Sequence, residues 1–193
     1  MIVLMAGLPG TGKSTIATAL APQVRGVILD KDRIRPALFT PEGVTYTRDQ
    51  DDFCFRVMLD AAAFILTRDV PRTVILDGRT CSRVYQVRQV QDLANKIAHP
   101  LAIIECVCGD GTARRRLDVD SATGRHPAAN RTFALHQALK AAAQPIPDPK
   151  LVLNTEAGIA ECVSRCLTYV SQLPATTASP GLGPWRSPRS TAR

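Results

Sequence analysis

Apolar positions along the chain alternate between short unbroken runs and longer stretches with helical spacing. Ile2–Ala6 is the first run; Gly26–Asp30, Thr73–Asp77, Leu101–Val107 and Leu151–Leu153 carry four more, rich in Val, Ile and Leu. Runs of this length without polar alternation are the mark of strands buried on both faces. Between them, residues 13–22, 31–38, 48–69, 82–98, 110–119, 128–143 and 156–172 have helical character. Strand alternating with helix predicts a parallel sheet covered by helices on both sides. The chain has no internal repeat.

A sheet of this kind collects its ligands at the carboxyl ends of its strands. The residues there are informative. A glycine-rich loop follows the first run, Asp30 and Asp32 end the second, Asp77 ends the third, and Cys108-Gly109-Asp110 follow the fourth.

Composition adds limits. With 193 residues, 45% hydrophobic and 21% charged, the chain is sized for one domain with a real core, and wholesale disorder is excluded. Residues 1–173 are expected to form that domain. From Pro174 the composition turns to Pro, Ser, Thr, Ala and Gly around a lone Trp185, so 174–193 is expected to be a disordered basic tail. The net charge is +7, and Arg186, Arg189 and Arg193 of the tail contribute part of it. The body is therefore mildly basic, which suits anionic substrates such as nucleotides better than it suits wrapping a nucleic acid.

The six cysteines form no C-x-x-C pair and no histidine stands at zinc-site spacing, so they read as small buried hydrophobes. No apolar run reaches the ~18 residues of a membrane span. The N-terminal segment lacks a basic region ahead of its apolar run, so a first strand is expected there and no signal peptide. The expected location is the cytoplasm, with no membrane partner.

The strongest chemical signal is Gly7-Leu8-Pro9-Gly10-Thr11-Gly12-Lys13-Ser14-Thr15, which matches G-x-x-x-x-G-K-[ST]. Gly7 and Gly12 allow backbone angles closed to other residues, and successive N–H groups between them form an anion nest. The helix starting near Lys13 adds its N-terminal donors. The Lys13 ammonium reaches the β- and γ-phosphates and the Ser14 hydroxyl ligates Mg²⁺. The loop predicts binding of ATP with Mg²⁺. It lacks the G-x-G-x-x-G of dinucleotide sites, and the chain has no N-K-x-D base-reading motif of GTPases.

Phosphoryl transfer to a hydroxyl needs a cradle, a metal, a base and positive charge. Asp77, at the end of a hydrophobic strand, is expected to share Mg²⁺ with Ser14. In Leu29-Asp30-Lys31-Asp32-Arg33-Ile34-Arg35, Asp32 and Arg35 lie one helical turn apart. A carboxylate beside arginine can take a proton or orient a hydroxyl. Asp32 is the expected base, with Asp30 as second candidate, and Arg35 the expected clamp. Arg79 is a further substrate-side candidate. Positive charge for the transition state is expected from Arg116 and Arg125, in a helical lid over about 114–131 that also holds Arg114, Arg115 and Arg131. The three histidines, His99, His126 and His136, are expected to be structural. Segment 36–60, with Phe39, Tyr46, Arg48, Asp49, Asp51 and Asp52, is expected over the acceptor. Its mixture of acids and aromatics argues against a purely anionic acceptor.

These segments in order (GLPGTGKST, LDKDRIR, VILDGRT and the arginine-rich stretch) resemble the small P-loop kinases. They are similar to the predicted kinases grouped with the polynucleotide kinase, gluconate kinase and adenylylsulfate kinase families. LDKDRIR resembles the D-x-x-R of polynucleotide 5′-kinases and the L-D-G-D-x-x-R of adenylylsulfate kinases, with Asp32 and Arg35 at the acid and the arginine. The resemblance implies a P-loop NTPase fold with a five-stranded parallel sheet in order 2-3-1-4-5, flanked by helices and closed by a lid. It implies transfer of the γ-phosphoryl of Mg-ATP to a hydroxyl of a small molecule or of a nucleic-acid 5′ end. VILDGRT lacks the D-T-N of polynucleotide kinases, so a nucleic-acid partner is open but not favoured. A hydrolytic NTPase, a nucleotide-binding regulatory module and a nucleotide-sugar toxin kinase are the alternatives. Acceptor identity and oligomeric state are not fixed at this point.

Overall fold

The computed structural model describes residues 1–69, 71–123, 128 and 130–174. Five strands, β1 (Ile2–Ala6), β2 (Gly26–Asp30), β3 (Thr73–Asp77), β4 (Leu101–Val107) and β5 (Leu151–Asn154), form one sheet in order β2-β3-β1-β4-β5. Every neighbouring pair is parallel. β1 and β3 are buried at every position, as their unbroken apolar runs require of central strands.

The helices are α1 (Lys13–Leu20), α2 (Lys31–Leu38), α3 (Arg48–Arg68), α4 (Val84–Lys96), α5 (Asp110–Thr123), α6 (Phe133–Ala142) and α7 (Ile159–Ser171). Side chains alternate along β1. Ile2, Leu4 and Ala6 enter one core layer with Phe55, Met58 and Leu66 of α3 and Val87 and Val90 of α4. Val3 and Met5 enter the other, with Ile16 and Leu20 of α1 and Cys162 and Cys166 of α7. All six cysteines are free thiols; five are buried and Cys108 is half-exposed. No helix among the described residues is long and apolar enough to cross a membrane.

Several boundaries differ from the sequence expectation. The first helix stops at Leu20, and its expected last turn tightens into a 3₁₀ turn at Ala21–Val24, where Pro22 lacks the N–H an α-turn would use. α5 runs past the expected 119 to Thr123. α6 starts at Phe133 and not at 128, because the Thr132 side chain caps it by accepting from Leu135 N. The lid expected over about 114–131 is described only through α5 and residues 128, 130 and 131. Arg125 and His126 lie outside the described residues, as does the tail from residue 175.

Candidate functional site

The carboxyl edge of the sheet gathers the predicted residues. β1 leads into the phosphate loop, and Gly12 (φ 84°) is the N-cap of α1. Gly7 has φ 130°, and a Cβ there would collide with the Cys106 carbonyl of β4, so no larger residue fits between the two strand ends. Lys13 is buried, and its Nζ donates to the Gly7 and Leu8 carbonyls, each at 2.8 Å. Burial pushes its pKa down, while the nearby Asp77 carboxylate works the other way.

Asp77, at the end of β3, is 2% exposed, and its Oδ1 has no hydrogen-bond partner. An orphaned buried carboxylate oxygen is costly unless a cation answers it. Ser14 and Asp77 border one cavity of about 370 Å³. The described residues contain no cluster of three or more His, Cys, Asp or Glu that could hold a metal. One carboxylate and one hydroxyl suit Mg²⁺, which takes few protein ligands and fills its shell with phosphate oxygens and water. The residues present fit that ion.

Asp30 stands beside Asp77 in the parallel register. It caps α2 by accepting from Asp32 N at 2.9 Å. Burial raises its pKa, and the Asp77 and Asp32 charges add to the rise. Asp32, one turn in, is 9% exposed. Arg35 Nη1 and Lys31 Nζ each lie 3.5 Å from its Oδ1. Arg35 is 2% exposed and lies over the Tyr46 ring at 4.7 Å.

Residues distant in sequence complete this wall. Asp51, in the first turn of α3, accepts from Lys31 Nζ at 2.7 Å and from Arg35 Nη2. Its neighbour Asp52 accepts from Arg79 Nη2 and from the Tyr85 hydroxyl. Arg79 also donates to the Asp51 carbonyl at 3.0 Å and stacks over Phe55. Two adjacent acids of α3 are thus held by cations from α2 and from the loop after β3. No local pattern announces these pairs.

Two cavities meet at the phosphate loop. The first, about 250 Å³, is bordered by Pro9, Lys13 and Ser14 on one side and by Asp32, Arg35 and Tyr46 on the other. The second, about 440 Å³, is bordered by Gly12, Thr15, Arg116, Thr155 and Ile159. Lys13, Ser14 and Arg131 border both. Arg131 pairs with Asp120 of α5 at 3.1 Å. Arg116 borders only the second cavity. Its Nη1 donates to Thr155 Oγ1 at 2.9 Å and its Nη2 to the Thr155 carbonyl at 2.8 Å. Arg114 stacks over Phe133 of α6 and Arg115 is exposed, so one of the three consecutive arginines faces the loop.

His136 has a closer link to the loop than its sequence suggests. It is buried on α6, and its Nδ1–H donates to the Pro9 carbonyl at 2.7 Å. Its ring stacks on Phe133 at 5.5 Å, and its Nε2 lies 3.6 Å from Asp110 Oδ1.

Comparisons agree with this architecture. The AAA domain family matches residues 2–146. No curated protein sequence matches the chain. Among solved structures, a Chloroflexus aurantiacus protein described as a candidate kinase superposes with a TM-score of 0.69 at 23% identity, over 87% of this chain and 97% of that one. The Mycobacterium tuberculosis APS kinase CysC, in complex with AMPPNP and APS, gives 0.67 at 17% identity over 89% and 97%. A gluconokinase from Sinorhizobium meliloti gives 0.62 at 16% over 88% and 91%. The chain belongs to the AAA domain family, and its fold is that of the small P-loop kinases.

Proposed function

We propose that the protein is an ATP-dependent phosphotransferase that moves the γ-phosphoryl of Mg-ATP to a hydroxyl of a small molecule. One observation carries the reading: Asp32 and Lys13 border the same cavity, a buried acid facing the phosphate loop. A protein that only bound or hydrolysed nucleotide would have no need of a second pocket walled by a carboxylate. The solved APS kinase binds AMPPNP together with APS, and this chain's two cavities suit a nucleotide and a separate acceptor.

In this reading the nine residues Gly7 to Thr15 hold the triphosphate. The Lys13 ammonium leaves the Gly7 and Leu8 carbonyls for phosphate oxygens. Ser14 and Asp77 would hold Mg²⁺, which would supply positive charge to those oxygens when bound. Asp32 accepts the acceptor's hydroxyl proton as that oxygen bonds to the γ-phosphorus; the bond to the bridging oxygen breaks and ADP leaves. Arg35 and Lys31 keep the Asp32 carboxylate in place. Arg116 steadies the nucleotide side of the loop through Thr155. Arg131, bordering both cavities, joins Arg116 and Arg125 as a source of charge for the transferring group.

The test is transfer from γ-labelled ATP to a panel of alcohols, sugars, sugar acids, nucleosides and 5′-hydroxyl oligonucleotides. The expected result is label on at least one small acceptor. Label released only as inorganic phosphate across the panel overturns the proposal in favour of a hydrolase.

A further inference from the structure

The charge in the first cavity is unbalanced in a way that bears on the acceptor. Among the described residues, seven cationic and two acidic side chains border it. Most of that excess is answered from within. Lys31 and Arg35 share Asp51, Arg79 holds Asp52, and Arg131 holds Asp120. Lys13 belongs to the phosphate loop. Arg48, exposed at the start of α3, and Arg83, half-exposed before α4, make no ion pair among the described residues.

The acids that made segment 36–60 look unsuited to an anion are therefore spent on buried cations. Asp51 and Asp52 do not offer the cavity free negative charge. What remains on the border is two unpaired arginines, Arg48 at the start of α3 and Arg83 just before α4, in the same cavity as Asp32 and Tyr46. A concave site lined by one sign of charge focuses its field and draws in the opposite sign. Arginine is also suited to carboxylate, sulfate and phosphate, because its planar fork matches two oxygens at once.

We infer that the acceptor is a small hydroxyl compound carrying an anionic group, and that Arg48 and Arg83 hold that group while its hydroxyl lies at Asp32. This rests on the phosphotransferase reading above and names the substrate class for it. A cavity of about 250 Å³ suits a small molecule such as a sugar acid or a mononucleotide. Arg48 and Arg83 then set acceptor specificity, and the carboxylates of α3 hold the cavity wall.

The experiment compares matched pairs that differ by the anion: gluconate with glucose, and cytidine 3′-monophosphate with cytidine. Binding is measured by calorimetry on the full chain saturated with Mg-AMPPNP. Phosphoryl transfer is measured separately with γ-labelled ATP. The charged member of at least one pair is expected to bind at least tenfold more tightly than its neutral partner. That advantage is expected to shrink as salt rises, and to fall at least fivefold in an Arg48→Gln, Arg83→Gln double variant whose melting temperature matches the wild type. Equal binding within both pairs, or an advantage that survives the double substitution, overturns the inference. Charged compounds that bind in this way without being phosphorylated uphold the anionic subsite and count against the phosphotransferase reading. Neutral members phosphorylated as well as the charged ones do the reverse.

Discussion

His136 Nδ1 lies 2.7 Å from the Pro9 carbonyl oxygen, joining α6 to the phosphate loop across 127 residues of sequence. A carbonyl can only accept, so the ring nitrogen must carry the proton. The trans peptide sets C=O and N–H on opposite sides, so this bond also turns the Gly10 N–H away from α6. His136 is then expected to position one donor of the proposed anion nest. His136→Ala is expected to weaken Mg-ATP binding about tenfold, the size of one lost buried hydrogen bond, with a smaller effect on kcat. His136→Asn, which keeps a donor, is expected to recover part of the affinity. Calorimetric titration with Mg-AMPPNP reads both, and unchanged affinity in the alanine variant contradicts the role.

Asp30 and Asp32 are two residues apart, and the structure places them differently. Asp30 caps α2 and its pKa is raised by burial beside Asp77; Asp32 borders the first cavity and Asp30 does not. Asparagine caps a helix about as well as aspartate. Asp30→Asn is therefore expected to keep the melting temperature or raise it, since it removes a buried like-charge neighbour of Asp77, and to keep phosphoryl transfer. Asp30→Ala is expected to cost about 1 kcal/mol through the lost cap. A collapse of transfer in Asp30→Asn would make Asp30 the base.

Lys13 is held in the fold at a cost. Burial lowers its pKa, so the charged ammonium is disfavoured where it sits, and under the proposed function its value lies in the phosphates it would meet. Lys13→Met, which keeps the aliphatic stem, is expected to leave stability within about 1 kcal/mol of wild type. Turnover is expected to fall at least about a hundredfold. Thermal melting and ATP turnover on the same preparation check the pair of effects. Loss of folding with Met at this position would mark Lys13 as structural.

The thiols give a pH prediction. Burial pushes Cys81 and Cys166 up to about 11 and Cys106 up to about 12, from an ordinary value of 9.0. The folded chain resists ionising them and the unfolded chain does not. Their contribution to stability is complete below pH 9 and is lost as pH rises from there through 11 to 12. The melting temperature is expected to fall over that window. Cys106→Ala is expected to lower it at pH 8 through the space it leaves, and to flatten the alkaline slope. A slope identical to wild type contradicts the assignment. At neutral pH the half-exposed Cys108 is expected to react first with a thiol reagent.

The strands and the phosphate loop were legible because their signals are local. Five apolar runs placed five strands to within a residue of their ends, and GLPGTGKST declared its own loop. Helix ends were less legible. Nothing in the sequence near 119 stops α5, and the start of α6 depends on the Thr132 cap, which competing positions between 128 and 132 obscured. The wall around Asp32 was hardest to read. Arg79 meets Asp52 across 27 residues and Arg35 meets Asp51 across 16, so the acids of segment 36–60 looked free when they are paired. His136 was expected to be structural, and its contact with Pro9 depends on the fold bringing α6 over the loop.

In the proposed reaction Asp32 takes a proton from an acceptor hydroxyl across the cavity it shares with Lys13. The most direct test is the partition of γ-label between acceptor and inorganic phosphate in wild type and Asp32→Asn, at saturating Mg-ATP. Transfer to acceptor is expected to fall at least about a hundredfold while slow hydrolysis persists, so the label shifts to inorganic phosphate. An Asp32→Asn enzyme that phosphorylates its acceptor at the wild-type rate would contradict it.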